Sequence, residues 1–275
     1  MATRVISTLP LTPAIGAEIE GIDLAEPLAD DVFQAVRSAL LEHGVIFFRD
    51  QEISVEQQMA LGALFGELVA HPNDPGIEGH PEVMIIHADA DSKRVAGESW
   101  HSDVSCDPQP PLGSILRIHT LPSTGGDTLF ASMYAAYDAL SETLRRFLDG
   151  LTAEHDGAPY YRSVNARIGR EDGGRAYPHA THPVIRTHPD TGRKALFVNE
   201  MFTTRINGLA PAESDALLRF LFEHVKRPEF QCRFHWQKNS IAFWDNRCVQ
   251  HMAIWDYWPQ TRTGYRVTVR GDVPR

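Results

Sequence analysis

The pentapeptide Trp100-His101-Ser102-Asp103-Val104 places an imidazole and a carboxylate two residues apart. Side chains alternate along an extended strand with a period of two, so both groups would leave one face and converge on one point. That supplies two of the three ligands a divalent metal needs from protein. The third is expected from His251, which closes the run Phe243-Trp244-Asp245-Asn246-Arg247-Cys248-Val249-Gln250-His251 at the end of an apolar strand. Two imidazoles and one carboxylate on one side of a metal leave the opposite positions open, the arrangement suited to non-haem Fe(II) oxygen chemistry.

An HxD triplet alone is weak evidence, and two arginines near the C-terminus strengthen it. Arg262 and Arg266 stand eleven and fifteen positions beyond His251. In a strand Arg266, Thr268 and Arg270 share a face, so at least one guanidinium can point into the mouth that the ligands line. A buried guanidinium requires an anion, and its planar fork suits a carboxylate held at two points. 2-Oxoglutarate carries a spare carboxylate at the end remote from a chelated metal. A rival cluster, His179-Ala-Thr-His182 with His188 beyond, is bracketed by Pro178 and Pro183, which disfavour helical geometry there, and is read as lid or loop structure.

The elements that must hold these groups are short. Ala14 to Leu24 alternates apolar and small or polar residues, as a strand pair with glycine turns would. A helix capped by Asp30 or Asp31 then runs to a stop at His43-Gly44, Val45 to Phe48 forms an apolar strand, and Ser54 with Gln57 opens a second helix. The polar loop from about His71 to Gly97 is a candidate substrate wall, with strands beyond it at Gly113 to Leu121 and Thr128 to Phe130 and a helix from Tyr134 to Leu148. Residues from about 150 to 194 are rich in Gly and Pro and form a candidate lid. A helix at Ser214 to Val225 and short strands at Phe230 to Trp236, Ser240 to Trp244 and Tyr265 to Arg270 complete a mainly β chain with flanking helices, a double-sheet jelly roll.

Its 275 residues suit a single domain over 1–275. A net charge of -10 argues against nucleic acid as a partner. Three widely spaced cysteines, Cys106, Cys232 and Cys248, suggest neither a disulfide framework nor a CxxC zinc site, and point to a reducing cytoplasm. No apolar run approaches the length of a membrane span, so no membrane partner is expected either.

Five ordered motifs resemble the taurine dioxygenase family, which includes 2,4-dichlorophenoxyacetate dioxygenase and alkylsulfatase dioxygenases. They are Trp100-His-Ser-Asp-Val104, Leu121-Pro-Ser-Thr-Gly-Gly-Asp-Thr-Leu129, Lys194-Ala-Leu-Phe-Val-Asn199, Phe202-Thr-Thr-Arg-Ile206 and Asp245-Asn-Arg-Cys-Val-Gln-His251. The similarity runs from about Ile15 to Val273 and implies a double-stranded β-helix core. Carried over residue by residue, it implies Fe(II) on His101, Asp103 and His251, with Thr128 and Arg262 on the far carboxylate of 2-oxoglutarate and O2 as co-reactant. It further implies substrate contacts from Arg266, His71 and Phe202, with hydroxylation of a small organic anion and release of succinate and CO2. A sulfonate, alkyl sulfate, aryloxyalkanoate or amino acid would fit, and hydroxylation beside an oxygen or sulfur substituent would cleave the substrate. Two positions depart from the taurine enzyme: Asp74 replaces a tyrosine and Gly97 an asparagine, and an inward-facing Asp74 would bind a substrate ammonium. A homo-oligomer, dimer or tetramer, is expected. Two other classes stay open: a metal-dependent hydrolase, which would need a general base and no 2-oxoglutarate, and a non-catalytic small-molecule-binding protein on the same fold.

Overall fold

The computed structural model describes residues 6–275. In chain order its elements are β1 (Ser7–Pro10), β2 (Ala17–Glu20), α1 (Asp30–His43), β3 (Val45–Phe48), α2 (Val55–Ala63), β4 (Val83–Ala88), β5 (Gly113–Thr120) and β6 (Thr128–Ser132). Next come α3 (Met133–Asp138), α4 (Glu142–Leu148), β7 (Thr152–Asp156), α5 (Ala158–Arg167), β8 (His179–Pro183), β9 (Ile185–Thr187), β10 (Lys194–Leu196) and β11 (Thr203–Ile206). The chain ends with α6 (Pro211–Val225), β12 (Gln231–Phe234), β13 (Ser240–Asp245), β14 (Val249–Ala253) and β15 (Arg262–Val269).

A seven-stranded sheet, ordered β1-β2-β3-β13-β5-β15-β4, faces a three-stranded sheet ordered β12-β6-β14. Between them lies a core in which Val45, Phe47, Leu116, Ile118, Ala242 and Trp244 of the large sheet meet Phe130, Cys232, Phe234 and Val249 of the small one. Phe47 stacks on Phe234 with ring centroids 3.9 Å apart. The opposite face of the large sheet, with Ile46, Phe48, Ile115, Ile241, Phe243 and Val267, packs against Val36, Ala39 and Leu40 of α1 and Leu61 of α2. β3 is apolar at every position because both of its faces are covered, one by a sheet and one by helices. This is the jelly roll with flanking helices expected from the strand pattern.

Several local expectations are corrected. β2 pairs with β1 and, in parallel, with β3, so the Ala14–Leu24 run supplies one strand and not a pair. The N-cap of α1 is Ala29, and Asp30 and Asp31 lie in its first turn, where their charges still favour the helix terminus. The helix read from Tyr134 to Leu148 is two helices, because the Ser132 and Ser141 hydroxyls each accept from a backbone N–H at the start of a turn and so begin separate elements. The Gly- and Pro-rich stretch from 150 to 194 is irregular at 168–178 and 188–193, as expected, but also holds regular elements: β7 is sandwiched between β11 and β8, and Tyr161 of α5 packs with Val104, Cys106 and Phe202. His182, read as part of a loop, sits in β8 and donates to the Asp107 carbonyl at 2.9 Å.

β7 also buries His155, which bonds the Ser105 hydroxyl at 3.0 Å and packs against His182 and Phe197. Burial, helped by the neighbouring His182, pushes its ring down to about 3, so it stays neutral in the fold. The unfolded chain, with an ordinary imidazole, takes up a proton first as pH falls. Stability is therefore expected to be full above about pH 7 and to drop by about 1 kcal/mol per buried neutral histidine by pH 5.5. Urea unfolding of wild type and His155→Gln across that window would show a shallower slope in the variant.

Candidate metal centre and its cavity

His101 and His251 are brought together by a single antiparallel β-bridge. His101 N–H donates to the His251 carbonyl at 3.1 Å and His251 N–H to the His101 carbonyl at 2.8 Å. Directly opposed residues project to the same side, and the two rings lie with centroids 4.1 Å apart. His251 belongs to β14, one strand later than the sequence suggests, since Asn246-Arg247-Cys248 turn the chain between β13 and β14. Its ring is wedged against Trp244 at 4.6 Å and Phe130 at 6.0 Å. His101 does not lead into a continuing strand. Val104 takes φ +45°, a left-handed value unusual for a β-branched residue, and the chain turns there immediately after Asp103.

That turn delivers the Asp103 carboxylate to the histidine pair. Its Oδ1 is 3.5 Å from His101 Nε2 and 4.0 Å from His251 Nε2, and the three side chains form a buried cluster of metal-ligating type. His101 Nδ1 hydrogen-bonds the Ser99 carbonyl at 2.8 Å, so the ring donates there and turns the Nε2 lone pair toward Asp103. Burial alone would raise Asp103, but Arg266 and the two imidazoles hold its carboxyl well below the usual carboxylate range. His251 is held well below the ordinary imidazole value by burial and by His101. An ionised carboxylate beside two imidazoles, His251 held neutral by its burial, is the donor set a divalent cation takes.

Two residues to which the sequence assigned no role, Ser114 and, inside the Asp245–His251 motif, Asn246, orient the carboxylate. Ser114 of β5 donates to Asp103 Oδ2 at 2.7 Å, and Asn246 Nδ2 donates to the same serine hydroxyl at 3.2 Å. Asn246 Oδ1 in turn accepts from the Asp103 backbone N–H at 3.2 Å and from Trp244 Nε1 at 3.0 Å. Ser114→Ala is expected to weaken metal binding about 10- to 100-fold while leaving all three ligands in place. Competitive titration with a chelator would measure it.

Arg262 and Thr128, the residues expected to hold the far carboxylate of 2-oxoglutarate, sit on the neighbouring strands β15 and β6. Arg262 begins β15 and is buried, lying over the Trp236 ring with its guanidinium carbon 5.3 Å from the ring centre. Its Nε and Nη2 have no hydrogen-bond partner among the described residues. Burial lowers it to about 10, so it keeps its charge at neutral pH. Thr128 of β6 is also buried and accepts from Trp236 Nε1 at 2.9 Å, which leaves its hydroxyl proton to donate elsewhere. Trp236 thus links the two residues. Thr128 lies two positions before Phe130, the register partner of His251, so it projects to the same side of the small sheet as the His251 ring.

Arg266 is two alternations along β15 from Arg262, on the same face. Between them Gly264 lies so close to the Arg117 carbonyl of β5 that a Cβ would collide with it, and the register of β15 against β5 shifts at this point. Arg266 donates to Asp103 Oδ1 at 2.9 Å and lines a cavity of about 140 Å³ with His101 and Asp103. Arg270, grouped with it in the sequence reading, lies past the end of β15 and pairs with Glu67 at 2.8 Å on the surface.

The same cavity is lined by His71, Asp74, Tyr160, Tyr161 and Phe202, so each substrate position carried over from the resemblance reaches it. His71 packs edge-on against Tyr161, and burial together with Arg266 pushes its ring down to about 3, leaving it neutral. Asp74 is committed in part to its own loop, where Oδ1 accepts from Gly76 N–H at 2.9 Å. Gly97 borders the cavity with φ +79°, and a Cβ there would lie 3.0 Å from the His101 ring. Arg94 in the loop after β4 and Arg170 just past α5 also line the cavity.

A second buried cluster, His188, Asp245 and Cys248, also has metal-ligating residue types. Its groups are satisfied within the protein: Asp245 accepts from His188 at 3.0 Å and from Arg247 at 2.6 and 2.8 Å, and burial keeps the Cys248 thiol protonated. It is a structural ion-pair network.

The two-sheet roll and its His-Asp-His cluster define a class of protein built to hold one metal with open positions. The model of the taurine catabolism dioxygenase TauD, TfdA family matches residues 7–268, and the chain belongs to that family. It is 38% identical over 276 residues to an alpha-ketoglutarate-dependent sulfate ester dioxygenase from Pseudomonas putida, covering 96% of this chain and 89% of that protein. A taurine dioxygenase structure from Burkholderia xenovorans superposes with a TM-score of 0.84 at 39% identity, covering 98% of this chain and 90% of that one. AAD-2, solved with Mn(II) and N-oxalylglycine, superposes with a TM-score of 0.82 at 30% identity, covering 98% of this chain and 99% of that one.

Proposed function

We propose that the protein is an Fe(II)- and 2-oxoglutarate-dependent dioxygenase that hydroxylates a small organic anion, releasing succinate and CO2. The observation that carries this reading is the buried Arg262 guanidinium, unpartnered at Nε and Nη2 and linked through Trp236 to the Thr128 hydroxyl, on the strand that carries Arg266 and beside the strand pair that carries His251. A buried cation with open donors is costly unless an anion completes it. Neither the hydrolase nor the binding-protein reading calls for that anion site.

Bound to the three ligands, iron with 2-oxoglutarate and O2 supplies the oxidising power. The protein's own residues do the rest. Arg262 and Thr128 hold the far carboxylate of the cosubstrate, fixing its reactive end toward the ligands. Arg266 holds the substrate's acidic group next to Asp103, and neutral His71 offers a ring nitrogen without adding charge. Phe202 and Tyr161 give the substrate an apolar wall that excludes water from the reacting carbon. The segment at about 150–194 covers the cavity through α5, acting as the lid of a single catalytic domain.

No described helix is long and apolar enough to cross a membrane. The reading extends to a cytoplasmic enzyme that assembles as a dimer or tetramer. Sedimentation would test the assembly. The activity itself is tested by 2-oxoglutarate-dependent succinate release across alkanesulfonates, alkyl sulfates, aryloxyalkanoates and amino acids. Succinate released in step with loss of one substrate class is the expected result; no release from any class with iron bound would reject the reading.

A further inference from the structure

The cavity beside Asp103 carries more positive charge than one acidic group requires. Arg266 and Asp103 already face each other at 2.9 Å. A second guanidinium, Arg94, lines the same cavity, and the acceptors it has are neutral: the Tyr160 hydroxyl at 2.8 Å and the Val95 carbonyl at 3.2 Å. Its Nε is buried with no hydrogen-bond partner among the described residues. Burial raises the Tyr160 phenol, so it remains protonated at neutral pH, accepting from Arg94 and keeping its own O–H to donate. Arg94 also lies 5.7 Å from the centre of the Tyr160 ring, so the two side chains are held as one unit. Asp74, the remaining cavity carboxylate apart from Asp103, is turned in part onto the Gly76 N–H.

Three arginines, Arg94, Arg170 and Arg266, therefore border one small cavity; Arg170 is exposed and turned onto the Asn73 carbonyl, which leaves Arg94 and Arg266 as its inner donors, and Met84, Val104, Val164, Met201 and Phe202 supply apolar lining. We propose that the substrate is an organic dianion, with one acidic group held by Arg266 near the metal ligands and a second oxyanion, carboxylate or sulfonate, held by Arg94 and Tyr160 at the other end of an apolar chain. This rests on the oxygenase reading and narrows its substrate class. Arg94 adds charge and Tyr160 a hydrogen bond, a combination that discriminates strongly between an analogue with the second acid and one without it.

The test compares plain alkanesulfonates with carboxy-terminated alkanesulfonates of the same chain length. Binding to the protein carrying Fe(II) and 2-oxoglutarate is measured anaerobically by calorimetry, and succinate release is measured in air. The expected result is that the dianion of the best length binds about tenfold or more tightly than its plain counterpart. Arg94→Gln and Tyr160→Phe should each erase most of that difference. Plain alkanesulfonates that bind and release succinate as well as the dianions do would overturn the distal site and leave the oxygenase reading standing. Equal weakening of both series in Arg94→Gln and Tyr160→Phe would also overturn it, since that marks a packing role. If neither series binds while 2-oxoglutarate does, the dianion proposal fails; if 2-oxoglutarate itself does not bind, the oxygenase reading fails with it.

Discussion

His251→Gln is expected to lower Fe(II) affinity about a hundredfold or more and to reduce turnover by three orders of magnitude or beyond, to about 10⁻³ of wild type. Glutamine keeps much of the bulk that packs against Trp244 and Phe130, so the change removes the imidazole nitrogen with little loss of core. An alanine would add the cost of a cavity and confuse the two effects. Metal content after dialysis against a weak chelator gives the first number and succinate release the second. Wild-type iron stoichiometry in this variant would mean that His251 is not a ligand, and the site would have to be redrawn around His101 and Asp103 alone. Unfolding in urea without metal checks the fold.

Arg262→Ala should raise the dissociation constant for 2-oxoglutarate by about 30- to 1,000-fold, the range for losing one side of a desolvated, hydrogen-bonded charge pair of about 2 to 4 kcal/mol. Anaerobic titration of the Fe(II) protein, tracking the visible charge-transfer band of the chelate, reads this directly. The same substitution has a second, opposite signature. Among the described residues Arg262 Nε and Nη2 have no partner, so deleting the side chain relieves a buried charge while removing its packing on Trp236. The ligand-free variant is expected to unfold at nearly the wild-type denaturant concentration, while the stabilisation that 2-oxoglutarate gives wild type disappears. Strong destabilisation without ligand would make Arg262 a structural residue.

The parts of the site legible in the sequence were those with a fixed chemical identity and a short or regular spacing. His101 and Asp103 lie two apart, and Arg262 and Arg266 four apart on one strand, so periodicity alone aligns each pair. What aligns His101 and Asp103 in the fold is a bridge and a left-handed Val104, not a strand, and a local backbone choice of that kind leaves no mark on residue type. Ser114 and Asn246 were missed because a serine in a buried strand and an asparagine in a turn are each ordinary, and their roles arise only when β5 and β13 meet. Trp236 escaped notice for the same reason: only the fold places its ring between Thr128 and Arg262. In the stretch from 150 to 194 glycine and proline marked the irregular parts, 168–178 and 188–193, but β7, α5, β8 and β9 between them carry no strong period and were not legible.

The order of the strands in the large sheet differs greatly from their order along the chain. β5, which carries Ser114, lies between β13 and β15, and these come from the last part of the polypeptide. A chain emerging from the ribosome cannot complete the middle of its own sheet, or bring β14 to the His101 bridge, until nearly all of it has been made. Distant pairings of this kind form late and slowly. Metal acquisition is therefore an event that comes after translation, and a truncated or stalled product cannot bind iron at this centre in place of the finished protein.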